Sequence, residues 1–339
     1  MDIKTSLDKQ GLRDIGKYLE KNSVRQSEPE SLINYLKDFH ISADPLVSPD
    51  SITIRPFSRW KIRPSKAGGP VTTKLLSFPT AILREDGNPD TANFYLFSRE
   101  PLANNKAILW APGFGVSDFA FRFIRRFFEE ELSQGWTVLV WVPPYHLERK
   151  KEDADAGDGL ITINPIDLMN NVYTSVRELS TGAAWLKSQG VTKIGAWGGS
   201  FGAANLLLLG QTVEFDHMSL MIPLVDWSTL WASPSLEQTK LLFTNKGYSD
   251  SLMKAALNAI SPVGRFPITK AERIQFLYAR YDQLTEETTI LKYGRSLGSV
   301  EFHGFNESHG TILLNSGVYR AYADFLHHMD SSLLDSNHL

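Results

Sequence analysis

Ser200 stands where a serine can be made reactive. It lies in Trp197-Gly198-Gly199-Ser200-Phe201-Gly202, after the short run Lys193-Ile194-Gly195-Ala196 and before small and apolar residues at helical spacing. Gly-x-Ser-x-Gly between a strand and a helix reads as a nucleophile elbow, a sharp turn with the serine at its tip. Such a turn crowds the neighbours two residues away on either side. Glycine at 198 and 202 removes the Cβ atoms that would clash. A Gly-rich turn with an incidental serine would show the same letters, so the pattern needs partners.

A serine hydroxyl is a poor nucleophile unless a base takes its proton, and the base needs an orienting acid. In open parallel sheets such groups collect at the carboxyl ends of strands. Asp282 ends the apolar run Phe276-Leu277-Tyr278-Ala279-Arg280-Tyr281, and His309 sits in the loop Asn306-Glu307-Ser308-His309-Gly310 before the last helix. The order Ser200, Asp282, His309 is the one associated with this elbow. Asp226 is the rival acid, because it also ends a strand. His303 and His146 are rival bases. A strand-end aspartate is often only a helix cap, and a lone loop histidine is usually solvated. The combination at successive strand ends is what points to a triad. Acyl transfer also needs donors for a developing oxyanion. The N–H of Phe201 is one, and the turn Pro112-Gly113-Phe114-Gly115 offers the N–H of Phe114 as the other.

The elements that must hold these groups alternate. Strands are expected at 72–78, 81–84 and 93–98, with a turn at Asp86-Gly87-Asn88-Pro89, and then at 107–110, 136–142, 193–199, 217–225, 273–282 and 299–302. Helices are expected at about 117–134, 165–189, 200–209, 285–298 and 311–329. The central strands are apolar throughout, which is the mark of a mostly parallel sheet covered on both faces. The expected fold class is α/β: a mostly parallel central sheet of about eight strands with helices on both faces.

Two stretches stand outside this alternation. Residues 1–66 read as amphipathic helices (Leu7, Leu12, Ile15, Tyr18, Leu19, then Leu32, Ile33, Leu36, Phe39) and an extended connector. They have three open roles: packing on the core, covering a site mouth, or forming a homodimer. Residues 71–331 read as the main domain. Within it, 226–265 is rich in large apolar residues, including Trp227 and Trp231, and reads as a small helical cap able to line a pocket and exclude water.

Composition narrows the chemistry. The chain has 339 residues, no cysteine and a formal net charge of −3. Thiolate catalysis, disulfides and zinc–thiolate sites are excluded. No nucleic-acid footprint is visible. The first residues carry no apolar signal segment, and Leu206–Leu209, the longest helical apolar run, cannot span a bilayer. The expectation is a cytoplasmic protein that needs no metal or cofactor and acts on a small molecule.

With these residues, the chain resembles the α/β-hydrolase fold superfamily over about Val71 to His328. The resemblance rests on Gly198–Gly202, Asp282, His309 and Pro112–Gly115. It implies hydrolysis of a carboxylic ester through an acyl-serine intermediate. Many members carry His-Gly at the oxyanion turn, where this chain has Pro112-Gly113. Within the superfamily, Pro144-Tyr145-His146-Leu147-Glu148-Arg149 resembles the group related to abhydrolase domain-containing protein 18, which implies a lipid-like or acyl-ester substrate. His146 and Arg149 then read either as site-edge contacts to a substrate carboxylate or phosphate, or as buried anchors for their loop. A serine peptidase, an acyltransferase and a hydrolase-like binding protein are the alternatives on the same residues.

Overall fold

A computed structural model of the chain describes residues 4, 6, 8–10, 12–13, 16, 27–60, 62, 70–83, 88–99, 105–265 and 269–335. The positions Leu7, Ile15, Tyr18 and Leu19, the connector over 63–69 and the turn residues 84–87 lie outside them. Among the described residues the chain forms one nine-stranded sheet.

The strands are β1 (Thr53–Pro56), β2 (Val71–Leu83), β3 (Pro89–Arg99), β4 (Lys106–Ala111), β5 (Thr137–Val142), β6 (Lys193–Gly199), β7 (Phe215–Met221), β8 (Ala271–Ala279) and β9 (Val300–Phe305). Their spatial order is β1-β2-β3-β5-β4-β6-β7-β8-β9. The first three strands run antiparallel to their neighbours, and β4 to β9 are mutually parallel. With helices on both faces, this is the α/β-hydrolase fold.

β4 and β5 read, after their first residues, as unbroken apolar runs because both of their faces are buried. In β4, Ala107, Leu109 and Ala111 face one core. Ile108 and Trp110 face the other. The first core is closed by α1 (Pro29–Asp38), α3 (Pro165–Ser188), α4 (Ser200–Leu209) and α8 (Glu287–Ser296). The second is closed by α2 (Asp118–Ser133) and α9 (Ser316–Asp335). Across it Trp110 and Trp197 stack with ring centroids 3.7 Å apart.

Several expectations shift. β1 lies in what reads as a connector; all four of its residues are exposed, so no burial period marks it. The two strands expected over 72–78 and 81–84 are one long strand as far as it is described, Val71–Leu83, with an irregularity between Pro79 and Leu83. The strand expected over 217–225 stops at Met221, because Ile222 adopts a positive φ of 43° and Pro223 follows. The stretch after it holds three short helices, α5 (Trp227–Ala232), α6 (Glu237–Asn245) and α7 (Asp250–Ala259).

Strand order reverses around β4, with β5 on one side and β6 on the other. In open α/β sheets the crevice at such a reversal, beyond the carboxyl ends of the strands, is where ligands bind. Ala111 pairs with Gly198, so the turn after β4 and the turn after β6 open side by side.

Candidate active site

The turn between β6 and α4 holds Ser200 at φ 47°, a conformation rare for a residue with a side chain. Its neighbours explain the glycines. A Cβ on Gly202 would sit 1.9 Å from Ala111 O, and one on Gly198 would sit 2.7 Å from Ala203 Cα. Neither backbone contact can yield, so only glycine fits. The strained Ser200 backbone is held by the sheet on one side and the wholly buried α4 on the other.

Ser200 Oγ lies 3.0 Å from His309 Nε2, and His309 Nδ1 lies 2.8 Å from Asp282 Oδ2. Ser200 opens α4 directly after β6, and Asp282 and His309 lie in the loops after β8 and β9; the parallel order β6-β7-β8-β9 brings all three to the same edge of the sheet. Asp282 is further bound: Oδ1 accepts the N–H groups of Leu284 and Thr285, both at 2.8 Å, and Oδ2 accepts the Thr285 hydroxyl at 2.7 Å. Burial would raise the Asp282 carboxyl, but His309 and these donors outweigh it and hold it below the usual aspartate range. Burial likewise pulls on His309 in the opposite sense. The Asp282 carboxylate outweighs it, Asp8 adds to it, and the imidazole is raised above its usual value.

Phe201 occupies the first turn of α4, where a helix's leading N–H groups have no carbonyl a turn earlier to bond. The turn after β4 stands against the elbow: a Cβ on Gly113 would lie 3.3 Å from Ser200 Cβ. Phe114 follows in that turn.

His146 and Arg149 are placed away from the cavity beside Ser200. His146 is fully buried, its Nε2 accepts the Gly115 N–H at 2.8 Å, and its Nδ1 lies 2.7 Å from Pro144 O. Burial pushes the ring down to about 4, so it is neutral and holds the turn that carries Phe114. The Arg149 side chain is 1% exposed and binds Asp90 at 2.9 Å and Glu178 at 2.8 Å. It anchors its loop to β3 and α3. Asp226 is tied to Ser228 N–H and Oγ as the N-cap of α5. His303 pairs with Glu301 on its own strand.

Ser200 opens on a cavity of about 170 Å³ lined by apolar groups from α3, α4 and the helices after β7. Phe114, Phe201, Trp227 and Trp231 all line it, with Ser200 and His309 at one end. Two further residues belong to this region and escaped the sequence reading. Leu12 lines the cavity, and the Asp8 carboxylate meets the His309 loop. A helical period marked Leu12 as apolar, but no local signal says where a segment almost 300 residues away docks.

No protein-family model matches the chain, and no curated protein matches it. Solved structures do share its fold. The Pyrococcus furiosus esterase Pf2001 is 16% identical with a TM-score of 0.51, covering 78% of this chain and 99% of its own. An Agrobacterium vitis S4 protein described as a hydrolase is 15% identical with a TM-score of 0.53, covering 77% of this chain and 99% of its own. The Pyrococcus horikoshii acylaminoacyl peptidase is 13% identical with a TM-score of 0.51, covering 71% of this chain and 38% of its own. At these identities the likeness is one of fold. No helix among the described residues is long and apolar enough to cross a membrane.

Proposed function

We propose that the protein is a serine hydrolase of carboxylic esters. The observation that carries this is the line from Ser200 Oγ to His309 Nε2, at 3.0 Å, and from His309 Nδ1 to Asp282, at 2.8 Å, built on a strained elbow beside an apolar cavity.

In this reading Ser200 Oγ attacks the ester carbonyl carbon while His309 Nε2 takes the hydroxyl proton. Asp282 holds the imidazole by Nδ1–H and stabilises the imidazolium that forms. The N–H groups of Phe114 and Phe201 receive the oxyanion. The tetrahedral intermediate collapses, the C–O bond to the alcohol breaks, and His309 gives its proton to the leaving alkoxide. Water then attacks the acyl carbon while His309 takes its proton, the bond from that carbon to Ser200 Oγ breaks as His309 returns the proton to Oγ, and the carboxylic acid leaves. No metal or cofactor enters these steps.

The cavity suits an acyl chain. An apolar cavity of about 150 Å³ takes a benzene-sized molecule, so this one takes an acyl group of about six carbons. The narrower resemblance carried by Pro144–Arg149 is a proposal of the same kind and adds a lipid-like acyl ester as the substrate. The test is a fluorophosphonate probe together with a series of p-nitrophenyl acyl esters and peptide p-nitroanilides. The wild type is expected to be labelled and to cleave esters, with both lost in Ser200→Ala. A folded wild type that takes no label and turns over no ester overturns the proposal, and faster turnover of the amides makes it a peptidase.

A further inference from the structure

Asp8 is a buried carboxylate with three backbone donors and no part in the chemistry above. It is 4% exposed. Its Oδ2 accepts the His309 N–H at 2.9 Å and the Gln283 N–H at 3.2 Å, and its Oδ1 accepts the Gly310 N–H at 3.3 Å. Two of these donors flank the His309 side chain, and the third follows Asp282. One side chain thus ties together the two loops whose residues must meet. Consecutive N–H groups turned to one point make a small anion-binding concavity, here filled by a residue 301 positions away in sequence.

The segment that carries it is docked on both sides. Lys4 Nζ pairs with Glu307 at 2.9 Å and donates to Asn306 O at 2.7 Å. One turn after Asp8, Leu12 is buried in the cavity wall. We infer that Asp8 is a positioning residue of this site, fixing the His309 and Asp282 loops so that the imidazole stays aligned between Ser200 and Asp282. The inference rests on the catalytic reading of Ser200, His309 and Asp282.

Geometry explains why a carboxylate stands there. An amide at residue 8 would offer one oxygen to three donors and turn its own N–H groups toward one of them. The loops would then separate by a few tenths of an ångström or more, and a base displaced by about 1 Å costs roughly a hundredfold in rate. The charge also matters. His309 is faced by Asp282 from the β8 loop, Asp8 from the N-terminal segment and the Ser200 hydroxyl from α4; on its own loop Glu307 is paired to Lys4, and Arg280 bonds Asn306. Removing one of the two facing anions lowers the pH at which the imidazole loses its proton.

The experiment compares wild type, Asp8→Asn and Asp8→Glu in the full chain. It measures kcat and KM on p-nitrophenyl hexanoate across pH, thermal melting, and the titration of His309 by ¹⁵N NMR of the ring. The expected result is a kcat lower by about tenfold or more in Asp8→Asn at unchanged KM, a His309 titration moved to lower pH, and partial recovery in Asp8→Glu. A change in either kcat or the His309 titration supports the inference. A lower melting temperature with both unchanged overturns it and makes Asp8 a purely structural clamp. Should Asp8→Asn fail to fold, Asp8→Ser, which keeps one short acceptor, is read the same way. The ring titration needs no substrate, so a folded wild type that takes no fluorophosphonate label and turns over no ester would sink the hydrolase proposal and still leave Asp8 to be judged by NMR.

Discussion

Asp282 accepts from Leu284 N–H, Thr285 N–H and Thr285 Oγ while facing His309 Nδ1, whereas Asp226 spends its carboxylate on capping α5. The two aspartates therefore respond differently to the same change. Asp282→Asn points an amide N–H at donors and leaves the imidazole without a charged partner in the required tautomer. kcat is expected to fall by up to about 10⁴-fold with KM little changed. Asp226→Asn keeps a good cap, and kcat is expected to stay within about twofold. Steady-state kinetics on both variants decides between the two acids, and equal losses would remove Asp282 from its role. The distinction between them was half visible in the sequence. Ser200, Asp282 and His309 each sit at a strand end, in an order that strand alternation predicts. Which acid faces the histidine depends on β8 and β9 being neighbours, and on Thr285 three residues on, a short-range pattern that a search for catalytic residue types passes over. The sequence left His146 open between a substrate contact and a buried anchor for its loop, and the residue is fully buried. Its imidazole accepts from Gly115, a backbone group that no side-chain pattern reveals.

At the scale of elements, the cavity is a joint product of pieces far apart in sequence. α3 and α4 supply one wall, the helices between β7 and β8 another, and Leu12 of the N-terminal segment a third. Leu12 is 2% exposed, so its truncation enlarges the cavity instead of opening the surface. Leu12→Ala removes three carbons, and the preferred acyl chain is expected to lengthen by about two carbons. The ratio of kcat/KM across p-nitrophenyl esters from butyrate to decanoate measures this. An unchanged profile would show that the acyl chain lies elsewhere. Strands buried on both faces were legible because the apolar residues of β4 and β5 alternate between the two cores, as Ile108 and Leu109 do. β1 was not, since an edge strand with all four residues exposed has neither an apolar run nor an alternation. The docking of Asp8, Leu12 and Gly16 was illegible for a different reason. Its partners, the His309 loop and the helix around Thr239, are set by tertiary folding and leave no mark on the local pattern.

At the scale of the whole molecule, part of the pH sensitivity of folding lies in groups that the proposed chemistry does not use. His217 in β7 is fully buried, packed against Trp136 and Phe325, with neither ring nitrogen bonded to protein. Burial, with Arg273 and Lys106 nearby, pushes it down to about 3. His146 is neutral for the reason given above. In the unfolded chain both titrate near 6.5. Below that pH the unfolded state binds protons that the folded state refuses, so stability falls as pH falls. The loss is about 1.4 kcal/mol per pH unit for each group, and it runs from about 6.5 down to about 4 for His146 and about 3 for His217. His217→Leu removes one share. Since neither ring nitrogen has a partner, the substitution gives up no hydrogen bond, and its stability at pH 7 is expected to lie within about 1 kcal/mol of wild type. Urea unfolding from pH 7 to pH 4.5 is expected to show a slope for the variant shallower by about 1.4 kcal/mol per pH unit. Equal slopes would mean that the His217 ring is protonated in the folded protein and that its burial is compensated by a partner.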